Sequence, residues 1–162
     1  MKKCVFAGTF DPPTKGHEKV VREALLIFDE VVVAVMINGG KIPLFSEDER
    51  VALLKKLFKD DGRVKVKSFH GAACDLLKKE GTPFYVRGVR DSIDFAYETR
   101  DYYATKKLMP EVIEIYIPAE QDSIQISSTL VKNSVKFHKQ FSEYLPESIR
   151  EDILAMLEDK NV

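Results

Sequence analysis

Residues 31–37 read VVVAVMI, an unbroken apolar run dominated by β-branched side chains. β-Branched residues favour extended backbone. A strand that is apolar on both sides must be covered on both faces, which is the situation of a central strand in a parallel sheet. The run is far too short to cross a bilayer. It therefore demands helices above and below it, and the rest of the chain supplies candidates for them.

Residues 3–7 read as a buried strand. Residues 15–28 read as a helix with Val21, Leu25 and Phe28 on one face and Val20 and Ala24 beside them. Ser46 and Glu49 have capping-box spacing and open a helix carried by Val51, Leu54 and Phe58. Residues 63–67 alternate as a strand, and residues 72–79 form a helix ended by Gly81-Thr82-Pro83. A fourth strand falls at 84–87, a long helix capped by Asp91 at 92–108, and a fifth strand at 114–118. Helices at 128–138 and 147–157 close the chain, the second opened by Pro146. Alternation of this kind predicts an α/β fold: a Rossmann-like, doubly wound sheet of five parallel strands, with helices on both faces and a C-terminal helical end. The 162 residues suit a single domain, residues 1–162, with no linker or repeat.

The formal net charge is −1, so no global field draws nucleic acid or an anionic membrane. Neither partner is expected, and any anion must be held by local geometry. The basic start of the chain lacks the apolar core of a signal peptide. Cys4 and Cys74 belong to no Cys-x-x-Cys pair and read as reduced thiols. A cytoplasmic protein is the expectation.

Parallel sheets of this kind bind ligands at the carboxyl ends of their strands, where strand order reverses. Anion-binding groups lie at those ends: Thr9 and His17 after the first strand, Lys41 after the second, Arg87 and Arg90 after the fourth, and Ser127, Ser128 and Thr129 after the fifth. The known phosphate loops do not fit. Lys15 precedes Gly16 and Lys41 is followed by Ile42, so there is no Walker loop. There is no Gly-x-Gly-x-x-Gly, no Gly-x-Ser-x-Gly elbow and no metal-ligand spacing around His17, His70 or His138. Phosphate chemistry without a covalent nucleophile remains. Gly16 and His17 open a helix whose first N–H groups favour an anion. An imidazole, a mobile ammonium and a guanidinium fork around them would stabilise charge on phosphorus in transfer.

Each residue also has a plainer reading. Thr9 alone is a turn residue before Asp11-Pro12-Pro13. A histidine at a helix start is commonly a cap, and a loop lysine such as Lys41 is commonly just solvated. Arg87 ends a buried strand and so needs either a ligand or an ion pair. Ser127-Ser128-Thr129 can cap a helix as well as bind. Phe95, Tyr97, Tyr102 and Tyr103 read as packing or as a subunit contact, and His70 and His138 as structural or exposed.

Taken in order, Gly8-Thr9-Phe10-Asp11-Pro12, Thr14-Lys15-Gly16-His17, Arg87-Gly88-Val89-Arg90 and Ile126-Ser127-Ser128-Thr129 resemble the bacterial phosphopantetheine adenylyltransferases. These belong to the nucleotidyltransferase superfamily with a His-x-Gly-His motif whose first position is commonly Thr in this branch. The resemblance runs from about Lys3 to the C-terminal helix. It implies that the 4′-phosphate of phosphopantetheine attacks the α-phosphorus of ATP, giving dephospho-coenzyme A and pyrophosphate, with magnesium on the ATP phosphates and no metal ligands from the protein. It implies that His17 stabilises the transition state, with Thr9, Lys41 and Arg90 also catalytic. Thr9, Phe10, His17, Gly88, Val89, Arg90 and Glu98 would contact ATP, and Ser123, Ile124, Gln125, Ile126, Ser127, Ser128 and Thr129 would wrap it. Thr9, Lys41, Ala73 and Arg87 would meet the pantetheine substrate. The glutamate has no independent reading from the sequence. The family is typically hexameric, and feedback by coenzyme A is in keeping with its shared pantetheine arm.

The chain departs from the family pattern at Ala7, where Pro is frequent, at Ala73, where a larger apolar residue usually lines the pantetheine arm, and at Lys132, where Arg is common. Two other functions stay open at this point. One is a related transferase with nicotinamide mononucleotide or glycerol phosphate as acceptor, against which Thr14 argues. The other is a non-catalytic nucleotide- or coenzyme A-binding regulator on the same fold.

Overall fold

The computed structural model describes residues 1–37, 42–119 and 124–160. Five strands form one sheet: β1 (Lys3–Gly8), β2 (Glu30–Met36), β3 (Val64–Phe69), β4 (Phe84–Val89) and β5 (Ile113–Pro118). Their order is β3-β2-β1-β4-β5, and every pairing is parallel. The expected α/β sheet is present. Successive strands step outward from β1 to β3, and the chain then crosses back to place β4 on the other side of β1. The reversal therefore lies between β1 and β4.

The run 31–35 is buried throughout, as its uniform apolarity requires. Side chains alternate across the sheet with the strand period of two. Cys4, Phe6, Val31, Val33, Val35 and Val86 face α1 (Lys15–Ala24), α2 (Glu47–Leu57), α5 (Ser128–Lys136) and α6 (Arg150–Asp159). Val5, Ala7, Val32, Ala34 and Tyr85 face α3 (Ala73–Glu80), with Tyr102 of α4 (Ser92–Leu108) packed beside them. Cys4 and Cys74 are free and buried, and burial pushes the Cys4 thiol up to about 12. Ser46 and Glu49 form the expected capping box, and Asp91 accepts from the N–H groups of Ile93 and Asp94 as the cap of α4.

Element ends differ from the sequence reading where local bonding decides them. α1 stops at Ala24 rather than at 28. The Leu26 and Ile27 N–H groups turn to the Glu23 and Ala24 carbonyls in tight three-residue bonds. Leu26 and Ile27 are left in solvent while Phe28 returns to the core. α5 stops at Lys136 because His138 adopts φ +51°, the left-handed position that Gly usually takes after a helix. Its N–H bonds Val135, and that of Lys139 bonds Ser134, so the end is a Schellman turn without the glycine that would have announced it. β4 runs on to Val89 because Gly88 and Val89 pair with Ile117 and Pro118. The last helix begins at Arg150, after a short 3₁₀ turn at Glu147–Ile149. No helix among the described residues is long and apolar enough to cross a membrane.

Candidate active site

A crevice of about 900 Å³ opens at the carboxyl ends of β1 and β4, at the reversal of strand order. Its floor is the β1 corner. Phe10 has φ +49°, a conformation that costs a non-glycine residue about 1–3 kcal/mol and persists only where its surroundings dictate it. Here they do. The Phe10 ring is 1% exposed, meets Phe6 and His17 edge-on at 5.3 and 4.9 Å between centroids, and lies over Gly8, where an added Cβ would come within 3.3 Å of it. From α2, buried Arg50 donates from Nη1 to the Thr9 carbonyl at 2.8 Å. The buried Asp11 carboxylate accepts from the Leu44 and Phe45 N–H groups at 3.0 and 2.8 Å, and Lys132 Nζ lies 3.4 Å away. Lys132 thus puts its charge to use at the base of the corner.

α1 starts from this corner. Thr14 and His17 form its capping box: the Thr14 main-chain N–H donates to His17 Nδ1 at 3.0 Å, and Thr14 Oγ1 lies 3.1 Å from the same nitrogen. Nδ1 is an acceptor in this bond, so the neutral ring carries its proton on Nε2. Burial, with the Arg90 charge adding to it, lowers the His17 pKa to about 4. The imidazole is therefore neutral near pH 7 and has one N–H to offer. An added Cβ at Gly16 would sit 3.6 Å from Thr14 Oγ1 and 3.9 Å from the Ile126 carbonyl, both ordinary contacts, so packing inside the protein does not demand that glycine. It lines the crevice, and a side chain there would take ligand space.

The end of β4 supplies the cations. Arg87 forms an ion pair and also lines the crevice. Its Nε and Nη2 both reach Glu98 Oε2 at 2.5 Å, and its Nη1 donates to the Tyr85 hydroxyl at 2.7 Å and the Ala7 carbonyl at 3.3 Å. This gives Glu98 the physical role that the sequence lacked: a buried carboxylate on α4, 8% exposed, neutralised by Arg87. Arg90 is more exposed and forks onto Asp94 through Nε and Nη2 at 3.1 and 3.2 Å. Gly88 is required by packing, because a Cβ there would lie 2.8 Å from Val20 Cγ2 of α1.

The start of α5 closes the other wall. Ser127 caps the helix by accepting from Leu130 N–H, and the Ser128 hydroxyl donates to the Pro12 carbonyl at 2.8 Å. Both serines therefore hold structure as well as lining the crevice. The starts of α1 and α5 meet there, and the positive ends of two helix dipoles favour a polyanion.

Of the residues singled out from the sequence, Thr9, Phe10, His17, Ala73, Arg87, Gly88, Val89, Arg90, Glu98, Ile126, Ser127, Ser128 and Thr129 line this crevice. Ile124 and Gln125 are not among its lining residues and are exposed. Lys41 and Ser123 lie outside the described residues. Tyr97, read as packing or a subunit contact, is exposed and borders the crevice, while Phe95 packs edge-on against Tyr116. Sequence reasoning missed Tyr85, Asp94, Arg50 and the structural work of Asp11. The i, i+4 spacing of Arg90 and Asp94 on a helix start was the available signal for one of them. His70 is exposed, lies 3.0 Å from Glu47, and is not among the residues lining the crevice.

Comparison with known proteins narrows what such a crevice does. The profile of the cytidylyltransferase-like family matches residues 5–134. A phosphopantetheine adenylyltransferase of Heliobacterium modesticaldum is 40% identical over 149 residues, covering 92% of this chain and 89% of that protein. The enzyme of the same name from Phocaeicola vulgatus is 38% identical, covering 94% of this chain and 100% of that one. The chain belongs to the phosphopantetheine adenylyltransferase family. It is a nucleotidyltransferase, as its motifs implied. Solved structures share the fold at lower identity. A bifunctional NMN adenylyltransferase/ADP ribose pyrophosphatase from Francisella tularensis superposes with a TM-score of 0.75 at 16% identity, over 98% of this chain and 50% of that one. A putative nicotinate-nucleotide adenylyltransferase from Vibrio parahaemolyticus does so with 0.67 at 24% identity, over 95% and 99%.

Proposed function

We propose that this phosphopantetheine adenylyltransferase joins the adenylyl group of ATP to 4′-phosphopantetheine by direct in-line attack. The 4′-phosphate oxygen forms a bond to the α-phosphorus as the bond to the pyrophosphate oxygen breaks, with no covalent enzyme intermediate. The products are dephospho-coenzyme A and pyrophosphate, a step of coenzyme A synthesis. The observation that carries this reading is the His17 ring, neutral and oriented by Thr14, at the meeting point of two helix starts.

In this reading His17 donates from Nε2 to an oxygen on the α-phosphorus as charge builds there. Thr9, held by Arg50, places the attacking phosphate, and the Phe10 main chain meets ATP while its ring braces His17. Arg90 forks onto phosphate in exchange for Asp94, and the stretch from Ser123 through Ile124, Gln125, Ile126, Ser127 and Ser128 to Thr129 wraps the nucleotide. Gly88, Val89 and Glu98 complete the ATP side. Lys41, Arg87 and Ala73 serve the pantetheine side. Among the described residues no trio of His, Cys, Asp and Glu is grouped to hold a metal, and Asp94 and Glu98 are tied to arginines. Magnesium would arrive on the triphosphate and neutralise phosphate charge there.

We also propose a cytoplasmic homo-oligomer, hexameric by family resemblance, that coenzyme A inhibits. The solvent face of α4 and the start of β5 support a contact between copies, since Ile93, Tyr97, Tyr103, Leu108 and Ile113 are all exposed. Sedimentation of the purified protein tests this. The reaction itself is tested by following pyrophosphate release with each candidate acceptor.

A further inference from the structure

The guanidinium of Arg87 is held on two sides by different chemistry. Glu98 of α4 binds its Nε–Nη2 edge with a charge, and Tyr85 binds Nη1 with a neutral hydroxyl at 2.7 Å. Tyr85 stands two residues before Arg87 on β4, so both side chains leave the same face of the sheet. The guanidinium carbon lies 5.1 Å from the Tyr85 ring centroid, so the ring attracts the cation that its hydroxyl also accepts from. Tyr85 is 6% exposed and packs with Val5, Ala7 and Leu77. It therefore has little freedom to follow Arg87 if the guanidinium moves. Tyr85 also lines both the main crevice and a smaller side pocket of about 180 Å³ that Ala73 and Arg87 share.

An incoming phosphate dianion competes directly with the Glu98 carboxylate for Arg87. It does not compete in the same way with a neutral phenol. The bond to Tyr85 can persist while Arg87 exchanges partners, and it then decides which way the guanidinium faces. We propose that Tyr85 is a positioning residue for the acceptor phosphate, acting through Arg87. This inference rests on the acceptor-side role given to Arg87 above, and the test separates the two.

Tyr85→Phe removes one oxygen and keeps the ring and its volume. The measurements are KM for 4′-phosphopantetheine, KM for ATP, and the melting temperature, for Tyr85→Phe, Arg87→Gln and the double variant. A hydrogen bond to a charged group corresponds to about a tenfold effect. Tyr85→Phe is expected to raise KM for phosphopantetheine about tenfold while leaving KM for ATP within about twofold. In the Arg87→Gln background it is expected to add nothing, because the group it positions is gone. An unchanged phosphopantetheine KM in Tyr85→Phe, an equal rise in both KM values, or the same added effect on top of Arg87→Gln would each overturn the proposal. An unchanged phosphopantetheine KM in Arg87→Gln would instead overturn the acceptor-side role of Arg87 itself.

Discussion

The Thr14 main-chain N–H donates to His17 Nδ1 at 3.0 Å, and this bond fixes the ring nitrogen that carries the proton. Long-range ¹H–¹⁵N correlation spectra should show Nε2 protonated and Nδ1 bare at pH 7, with titration near pH 4 rather than 6.5. A doubly protonated ring at pH 7 would contradict this assignment.

The same group links pH to stability. The folded value of His17 lies below its ordinary 6.5. Between the two values the unfolded chain binds a proton that the folded chain refuses, so stability rises with pH across that window. The contribution is complete above about pH 6.5 and is lost as pH falls toward 4. His17 is half-buried, so the expected size is on the order of 1–3 kcal/mol. Urea unfolding of the parent and of His17→Ala at pH 7.5 and 5 measures it: the parent should lose more stability on acidification than the variant.

His17→Ala should keep ATP binding within a few-fold and lower turnover by about 10²–10³, the usual cost of one preorganised donor to a transition-state oxyanion. Calorimetric titration of ATP beside single-turnover kinetics separates the two quantities. Equal losses in both would make His17 a binding or folding residue.

Gly88→Ala should destabilise by about 1–3 kcal/mol, because its Cβ would stand 2.8 Å from Val20 Cγ2. Val20→Ala in the same chain should recover part of the loss, although Val20→Ala alone is destabilising. A Gly88→Ala protein with parental stability would show that α1 and β4 are not packed this closely.

Asp11→Ala leaves the Leu44 and Phe45 N–H groups and the Lys132 ammonium without their shared acceptor. The expected loss is about 3 kcal/mol, with a lower kcat because the Thr9–Phe10 corner loosens. Thermal melts and turnover measured on the same preparation check both parts.

The sheet was legible because it rests on periodicity. An apolar run such as 31–35 has one stable setting, and its helical neighbours carry one apolar face each. The crevice was legible because parallel strands bring their ends together, so Thr9, Arg87 and Ser127, far apart in sequence, had to converge. What sequence could not give was the partner of each charge. Arg87 ending a buried strand demanded compensation, and its spacing to Glu98 on the next helix did not say that the two would meet. The Schellman end at His138 lacked its glycine, and the strain at Phe10 depends on Arg50 and Asp11, whose contacts cross tens of residues.

The most direct measurement is pyrophosphate release by the purified protein with magnesium-ATP and 4′-phosphopantetheine, beside nicotinamide mononucleotide as a parallel acceptor. Release with phosphopantetheine alone, and dephospho-coenzyme A as the adenylylated product, is the expected result. Release only with nicotinamide mononucleotide, or ATP binding without turnover of either acceptor, would contradict it.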